Sequence, residues 1–138
     1  MSDVLDNISW FGHASFLIEN KPGKKLYFAD PFDLKRFPNE KADAIFITHA
    51  HPDHFSPNDI RNLLKNETMV VAVNGCQNLN LPTKAFMIVG PNRTVSVAGI
   101  KIKTVPAYNI KPDRLSYHPK QNDWVGYIFE IGGARIYH

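Results

Sequence analysis

Apolar residues fall along the chain in short clusters separated by turn chemistry, with one stretch at helical spacing. Ile8-Ser9-Trp10 and Ser15-Phe16-Leu17-Ile18-Glu19 flank Gly12-His13. Asn20-Lys21-Pro22-Gly23 has the composition of a turn, because proline presets φ and glycine tolerates positive φ. Lys25-Leu26-Tyr27-Phe28-Ala29 follows and stops at Asp30-Pro31. Together these pieces predict a hairpin or meander. Ala44-Ile45-Phe46-Ile47-Thr48 is a continuous β-favouring run, which suits a strand buried on both faces.

The clearest helix signal comes next. Ser56 can cap, Pro57 suits the first helical position, and Asp59 completes a Ser-x-x-Asp box. Ile60, Leu63 and Leu64 then share a face at i, i+3 and i+4. Met69–Val73 reads as the following strand, so a βαβ unit is expected. Gly75–Asn80 reads as a short helical piece. Further strands are predicted at Phe86–Val89, Thr94–Val97 and Ile100–Val105, with turns at Pro91-Asn92 and Gly99. Ala107 to Asp123 is a long polar loop carrying Tyr108, Asn109, His118 and Pro119. A final hairpin is predicted from Trp124–Ile131 and Ala134–Tyr137, turned at Gly132-Gly133. Many short strands and one clear helix predict an α/β (α+β) fold.

Composition narrows this picture. A length of 138 residues fits one domain, and 43% hydrophobic with 12% aromatic residues allow a packed core. The net charge is +3 with scattered Lys and Arg, which disfavours a nucleic-acid partner. Cys76 is the only cysteine, which rules out a disulfide framework and a cysteine-based zinc site and favours a reducing compartment. The acidic start Met1-Ser2-Asp3-Val4-Leu5-Asp6 lacks the apolar core of a signal peptide, and no segment reaches membrane-spanning length. The expectation is a soluble cytoplasmic protein without a membrane partner.

The candidate chemistry lies in His49-Ala50-His51-Pro52-Asp53-His54, directly after the Ala44–Thr48 run. Alternate side chains of an extended segment point the same way, so His49 and His51 can converge on one ion. Pro52 disfavours helical geometry at His51 and keeps the stretch extended. Asp53 and His54, where the chain turns toward its helix, can face a second position. Imidazole nitrogen and carboxylate oxygen suit zinc, and also manganese or iron. Two ions sharing a water lower its pKa and yield hydroxide at neutral pH. Asp53 is placed to orient that nucleophile or move a proton, which makes it the candidate catalytic residue.

These residues resemble the signature of the metallo-β-lactamase superfamily, His-x-His-x-Asp-His. The similarity continues in order through Trp10-Phe11-Gly12-His13-Ala14-Ser15-Phe16, Asp30-Pro31-Phe32, Ala107-Tyr108-Asn109, His118-Pro119-Lys120, and Gly126-Tyr127 to Ile136-Tyr137-His138. Within the superfamily it is similar to the L-ascorbate-6-phosphate lactonase-like and metal-dependent hydrolase branch. The resemblance implies a four-layer αββα sandwich with metals at one edge between two sheets. It implies a hydrolase acting on a small-molecule lactone, ester or phosphodiester, with two divalent ions as cofactors, zinc first. By position, His49 and His51 would hold the first ion, and Asp53 and His54 the second. Asp30 would orient a ligand through a hydrogen bond. Relatives place a further histidine after the strand equivalent to Ile100–Pro106. That slot aligns with Asn109, and His118 beyond it is the preferred ligand. His13, Tyr108 and Asn109 are expected near the substrate pocket, although His13 could equally pack beside Trp10.

The family pattern then continues with a Gly-Asp-Thr turn and a later histidine, which this sequence does not contain. The expectation is therefore the N-terminal half of the sandwich, one sheet of two, in a domain truncated at its C-terminal end. Such a half would expose an apolar face and pair with a complementary C-terminal half or with another copy. Two alternatives accompany the hydrolase reading: a non-catalytic metal-binding or assembly module, and a nucleic-acid-processing member of the superfamily.

Overall fold

The computed structural model describes residues 4–76, 80, 81 and 85–138. Among these residues ten strands build two stacked sheets, with one α-helix beside them. The first sheet holds β1 (Ile8–Trp10), β2 (Phe16–Asn20), β3 (Lys25–Ala29), β4 (Ala44–Phe46), β5 (Met69–Ala72) and β6 (Ala85–Ile88), in that order. β1, β2 and β3 form the antiparallel meander. β3, β4, β5 and β6 run parallel. The helix α1 (Pro57–Leu63) makes the β4-to-β5 crossover, as parallel neighbours require. The second sheet is antiparallel, in the order β10 (Ala134–Tyr137), β9 (Val125–Ile131), β8 (Ile100–Pro106), β7 (Thr94–Val97).

Both sheets of the sandwich are thus present, contrary to the expectation of a single one. β7 to β10 fold back over the first sheet and close a core. Phe46 meets Tyr127 and Phe129 edge-on at 5.4 and 4.9 Å between ring centres. The Tyr27 hydroxyl donates to the Ala98 carbonyl and the Tyr127 hydroxyl to the Ile47 carbonyl, both at 2.7 Å. These bonds satisfy phenols that the core would otherwise leave unpaired. The outer face of the second sheet is polar rather than apolar: Lys101 and Lys103 flank Glu130 at 3.5 and 3.2 Å. β8 accordingly alternates buried and exposed positions.

The element boundaries follow from side-chain competition. β4 ends at Phe46 rather than at Thr48, because Asp30 Oδ1 takes the Thr48 N–H at 2.8 Å. Ser56 caps α1 and Ile60 and Leu63 are its buried residues, while Leu64 is already the C-cap. The Asp59 carboxylate does not return to the Ser56 amide. It accepts from the Ser56 hydroxyl at 2.6 Å and from the Asp33 and Leu34 amides at 2.9 and 3.1 Å. That anchors the loop after β3 onto the helix. The helical piece expected at Gly75–Asn80 falls mostly outside the described residues. Among the described residues, no helix is long and apolar enough to cross a membrane.

Candidate metal centre

The parallel strands deliver the site. β3 ends at Asp30 and β4 runs into Thr48-His49, so both meet at one edge of the sandwich, under the 107–123 loop. Asp30 is 1% exposed and adopts φ +45. Such a conformation is uncommon for a non-glycine residue and characteristic of strained functional positions. Its Oδ2 accepts from the Thr48 hydroxyl at 2.7 Å, and lies 2.9 Å from His54 Nδ1 and 3.1 Å from His138 Nε2. Burial alone would raise its pKa. The bonds from His138 and His54, the His138 charge and the Thr48 hydroxyl overcome that and bring it down to about 2.

An ionised carboxylate accepts only, so His54 carries a proton on Nδ1, and its neutral form keeps the Nε2 lone pair free. Thr48 has one hydroxyl proton and gives it to Asp30. The 2.8 Å contact between Thr48 Oγ1 and His49 Nδ1 is then a bond donated by His49, which likewise frees its Nε2. One buried carboxylate and one hydroxyl therefore set the tautomers of two imidazoles, the arrangement that supports metal-binding histidines.

Among the described residues three groups of donors gather here. His49, His51 and His118 bring ligand atoms within 4.8 Å of one another, and so do His13, Asp53 and His54. Asp30, His49 and His54 form a third such group. In that one, hydrogen bonds already use both carboxylate oxygens, so it serves as the support. The rings of His49, His51 and His118 lie 4.6 to 4.8 Å apart, and His54 is 3.9 Å from His49. Imidazoles this crowded cannot all carry charge. Burial and then the neighbouring His54 push His49 down to about 4. Burial, His51 and His54 also lower His118. Burial acts to lower His54 too, but its bond to Asp30 and the charges of Asp30 and Asp53 leave it raised. His49 and His118, held neutral by burial, together with His51, His54 and the carboxylates beside them form a nitrogen-rich donor set that fits divalent transition metals.

The remaining candidates are placed as follows. His13, at φ +48, puts Nε2 3.0 Å from Asp53 Oδ2. Its ring lies 5.2 Å from that of His54 and 5.6 Å from Phe32. Its tie to Trp10 is indirect: the indole N–H donates to the His13 carbonyl at 3.0 Å. Tyr108 is half-exposed under the Lys120 ammonium, 5.4 Å from the ring centre. Asn109 turns its side-chain amide to the Arg114 carbonyl at 2.8 Å. His118, not Asn109, is the residue that the loop brings to His49 and His51.

Several site residues carry no distinctive signal in the sequence. In sequence Thr48 reads as a strand end. Trp124 reads in sequence as the start of a strand, yet its ring lies 4.9 to 5.4 Å from His49, His51 and His118. Its indole N–H donates to the Asn74 carbonyl at 3.0 Å. Tyr137 lines a cavity of about 280 Å³ together with His49, His54, His118 and His138. It lies over Gly126, where an added Cβ would come within 2.6 Å of its hydroxyl.

Residues 7–138 match the sequence model described as Beta-lactamase superfamily domain. The chain is 32% identical over 139 residues to a UPF0173 metal-dependent hydrolase of Thermococcus kodakarensis, covering 95% of this chain and 59% of that protein. It is 33% identical over 143 residues to a UPF0173 metal-dependent hydrolase of Thermococcus onnurineus, with the same coverage, 95% and 59%. Among solved structures, that of a proposed metal-dependent hydrolase from Parabacteroides distasonis superposes with a TM-score of 0.82 at 32% identity. The match covers 94% of this chain and 58% of that one. The chain thus spans about 59% of the length of these curated relatives.

Proposed function

Because the chain belongs to the metallo-β-lactamase superfamily, we propose that it carries the metal-binding part of a UPF0173-like metal-dependent hydrolase. The observation that carries the reading is the convergence of His49, His51 and His118 beside His13, Asp53 and His54, backed by the Asp30–Thr48 hydrogen bonds. His49, His51 and His118 would hold one divalent ion, with zinc favoured by the nitrogen-rich set. Asp53 and His54 would hold a second. When bound, such ions supply Lewis-acid activation of water and stabilisation of the charge that develops on the substrate.

The residues around them have separable tasks. Asp30 and Thr48 hold the imidazoles in one tautomer and orientation. Trp124 closes one flank of the three imidazoles with an apolar ring. Asp53, half-exposed and hydrogen-bonded to His13, faces the open side, where it can orient the nucleophile or carry a proton away. Lactone, ester and phosphodiester are the bond types that this chemistry serves. The activity, substrate and partners of a whole protein of the relatives' length are part of the proposal.

The test combines metal content and hydrolysis. Purified protein is expected to hold a transition metal that His51→Ala reduces. Hydrolysis across a panel of lactones, esters and phosphodiesters is expected to disappear on chelation and return with Zn²⁺. Absence of bound metal, with the same metal content in His51→Ala, would overturn the reading. Metal uptake by a defined oligomer that hydrolyses none of the panel would favour a metal-binding assembly module instead.

A further inference from the structure

His118 stands in the long irregular segment between β8 and β9. A loop of this length gives little intrinsic reason for one side chain to hold still. Here the segment is closed at two levels. The Ala107 N–H donates to the Trp124 carbonyl at 3.1 Å, and the Asn109 N–H donates to the His118 carbonyl at 2.9 Å. Within the inner loop, Asn109 Nδ2 donates to the Arg114 carbonyl at 2.8 Å. The Arg114 N–H reaches the Lys111 carbonyl at 2.9 Å, and the Tyr117 N–H reaches the Arg114 carbonyl at 3.2 Å. Asn109 is thus bonded both to the residue that carries the third imidazole and to the middle of the loop that delivers it.

We propose that Asn109 is a positioning residue for His118. Its side-chain brace keeps residues 109–118 in the conformation that aligns the His118 ring with His49 and His51 for a divalent ion. The inference rests on the metal-centre reading above. Its physical basis is preorganisation: a ligand already held in place spares the ion the entropy of ordering a loop. The chemistry asks for an amide. Aspartate has the same shape but no donor, and would set a carboxylate against the Arg114 carbonyl. The Arg114 side chain is not needed, because only its backbone oxygen is used.

Co²⁺ titration of the metal-free chain tests this, followed through Trp124 emission and cobalt absorption. Asn109→Asp and Asn109→Ala are expected to weaken Co²⁺ binding by about tenfold or more, the loss typical of supporting partners of metal ligands. Arg114→Ala is expected to bind within about twofold of the parent, since it keeps the accepting carbonyl. A double-mutant cycle separates positioning from general loosening of the fold. In a His118→Ala background, Asn109→Asp is expected to cost nothing further. Parent-like binding by Asn109→Asp overturns the inference, and so does an equal loss with and without His118. A parent chain that takes up no Co²⁺ overturns the metal-centre reading itself.

Discussion

Replacing Asp30 by asparagine keeps the shape of a fully buried side chain and removes its charge. Oδ1 accepts the Thr48 N–H at 2.8 Å, while Oδ2 faces the Thr48 hydroxyl at 2.7 Å, His54 at 2.9 Å and His138 at 3.1 Å. Asparagine has one accepting arm and one donating arm. With its nitrogen at Oδ1 it opposes the Thr48 N–H. With its nitrogen at Oδ2 it opposes the proton on His54 Nδ1. In either orientation a buried donor meets a donor. One unsatisfied buried donor costs about 1–3 kcal/mol, and each lost bond to a charged acceptor about 1.5–3 kcal/mol. Rotation of the Thr48 hydroxyl recovers part of this, so the expected loss is about 3–5 kcal/mol. The assay is urea unfolding of the metal-free protein at neutral pH, followed by circular dichroism. The pH dependence adds a second check. Asp30 is held down at about 2, against an ordinary value of 3.8. A depressed carboxylate contributes stability that is complete above its unfolded pKa and is lost as pH falls through the folded one; here that contribution is about 2 kcal/mol. The gap between parent and Asp30→Asn should therefore narrow from about pH 4 downward. A neutral-pH loss below about 1 kcal/mol would refute the role of this carboxylate as the shared acceptor.

Three further outcomes are expected. His49 is pushed down to about 4 by burial and by His54. Because its folded pKa is depressed, its contribution is complete above its unfolded value of 6.5 and is lost as pH falls toward 4. The urea midpoint of the metal-free protein should thus drop between neutral pH and about pH 4.5, a window above that of Asp30, and an unchanged midpoint would contradict it. Trp124 should report metal binding: Co²⁺ is expected to quench its emission in Trp10→Phe, and Trp124→Phe should lose most of the response, since the Trp124 ring lies 4.9 to 5.4 Å from His49, His51 and His118 while Trp10 is 62% exposed and its indole N–H meets the His13 backbone carbonyl. Gly75 has φ +96, and a Cβ there would meet the Ala50 Cβ at 2.9 Å, between His49 and His51. Gly75→Ala should therefore cost about 1–3 kcal/mol in thermal or urea unfolding and weaken Co²⁺ binding, and a parent-like variant would show that Ala50 has room to move.

The outline of the fold is legible where local patterns are strong. The strand at Lys25–Ala29, the capped helix with Ile60 and Leu63 inward, and the hairpin turned at Gly132-Gly133 each follow from residue type and spacing. Boundaries are less legible, because long-range hydrogen bonds set them: the Asp30 carboxylate ends β4 from a neighbouring strand. The presence of both sheets is illegible for a related reason. The strands from Thr94 onward are recognisable one by one, but nothing local says that they pair in the order β10-β9-β8-β7 and cover the first sheet. The alternation of Ile100 and Ile102 with Lys101 and Lys103 along β8 is the sign of a one-sided sheet that the sequence offers.

The sequence by itself determined that a metal-binding signature follows a buried strand and precedes a capped helix, because those signals are carried by adjacent residues. Only the tertiary structure decided which distant groups join it. It brings His118 rather than Asn109 to His49 and His51, lays Trp124 along their rings, and sets His13 against Asp53. It also makes Asp30 the shared acceptor for Thr48, His54 and His138. Each pairing depends on the sheets stacking and the loop closing, and no spacing along the chain encodes the angle at which two sheet edges meet.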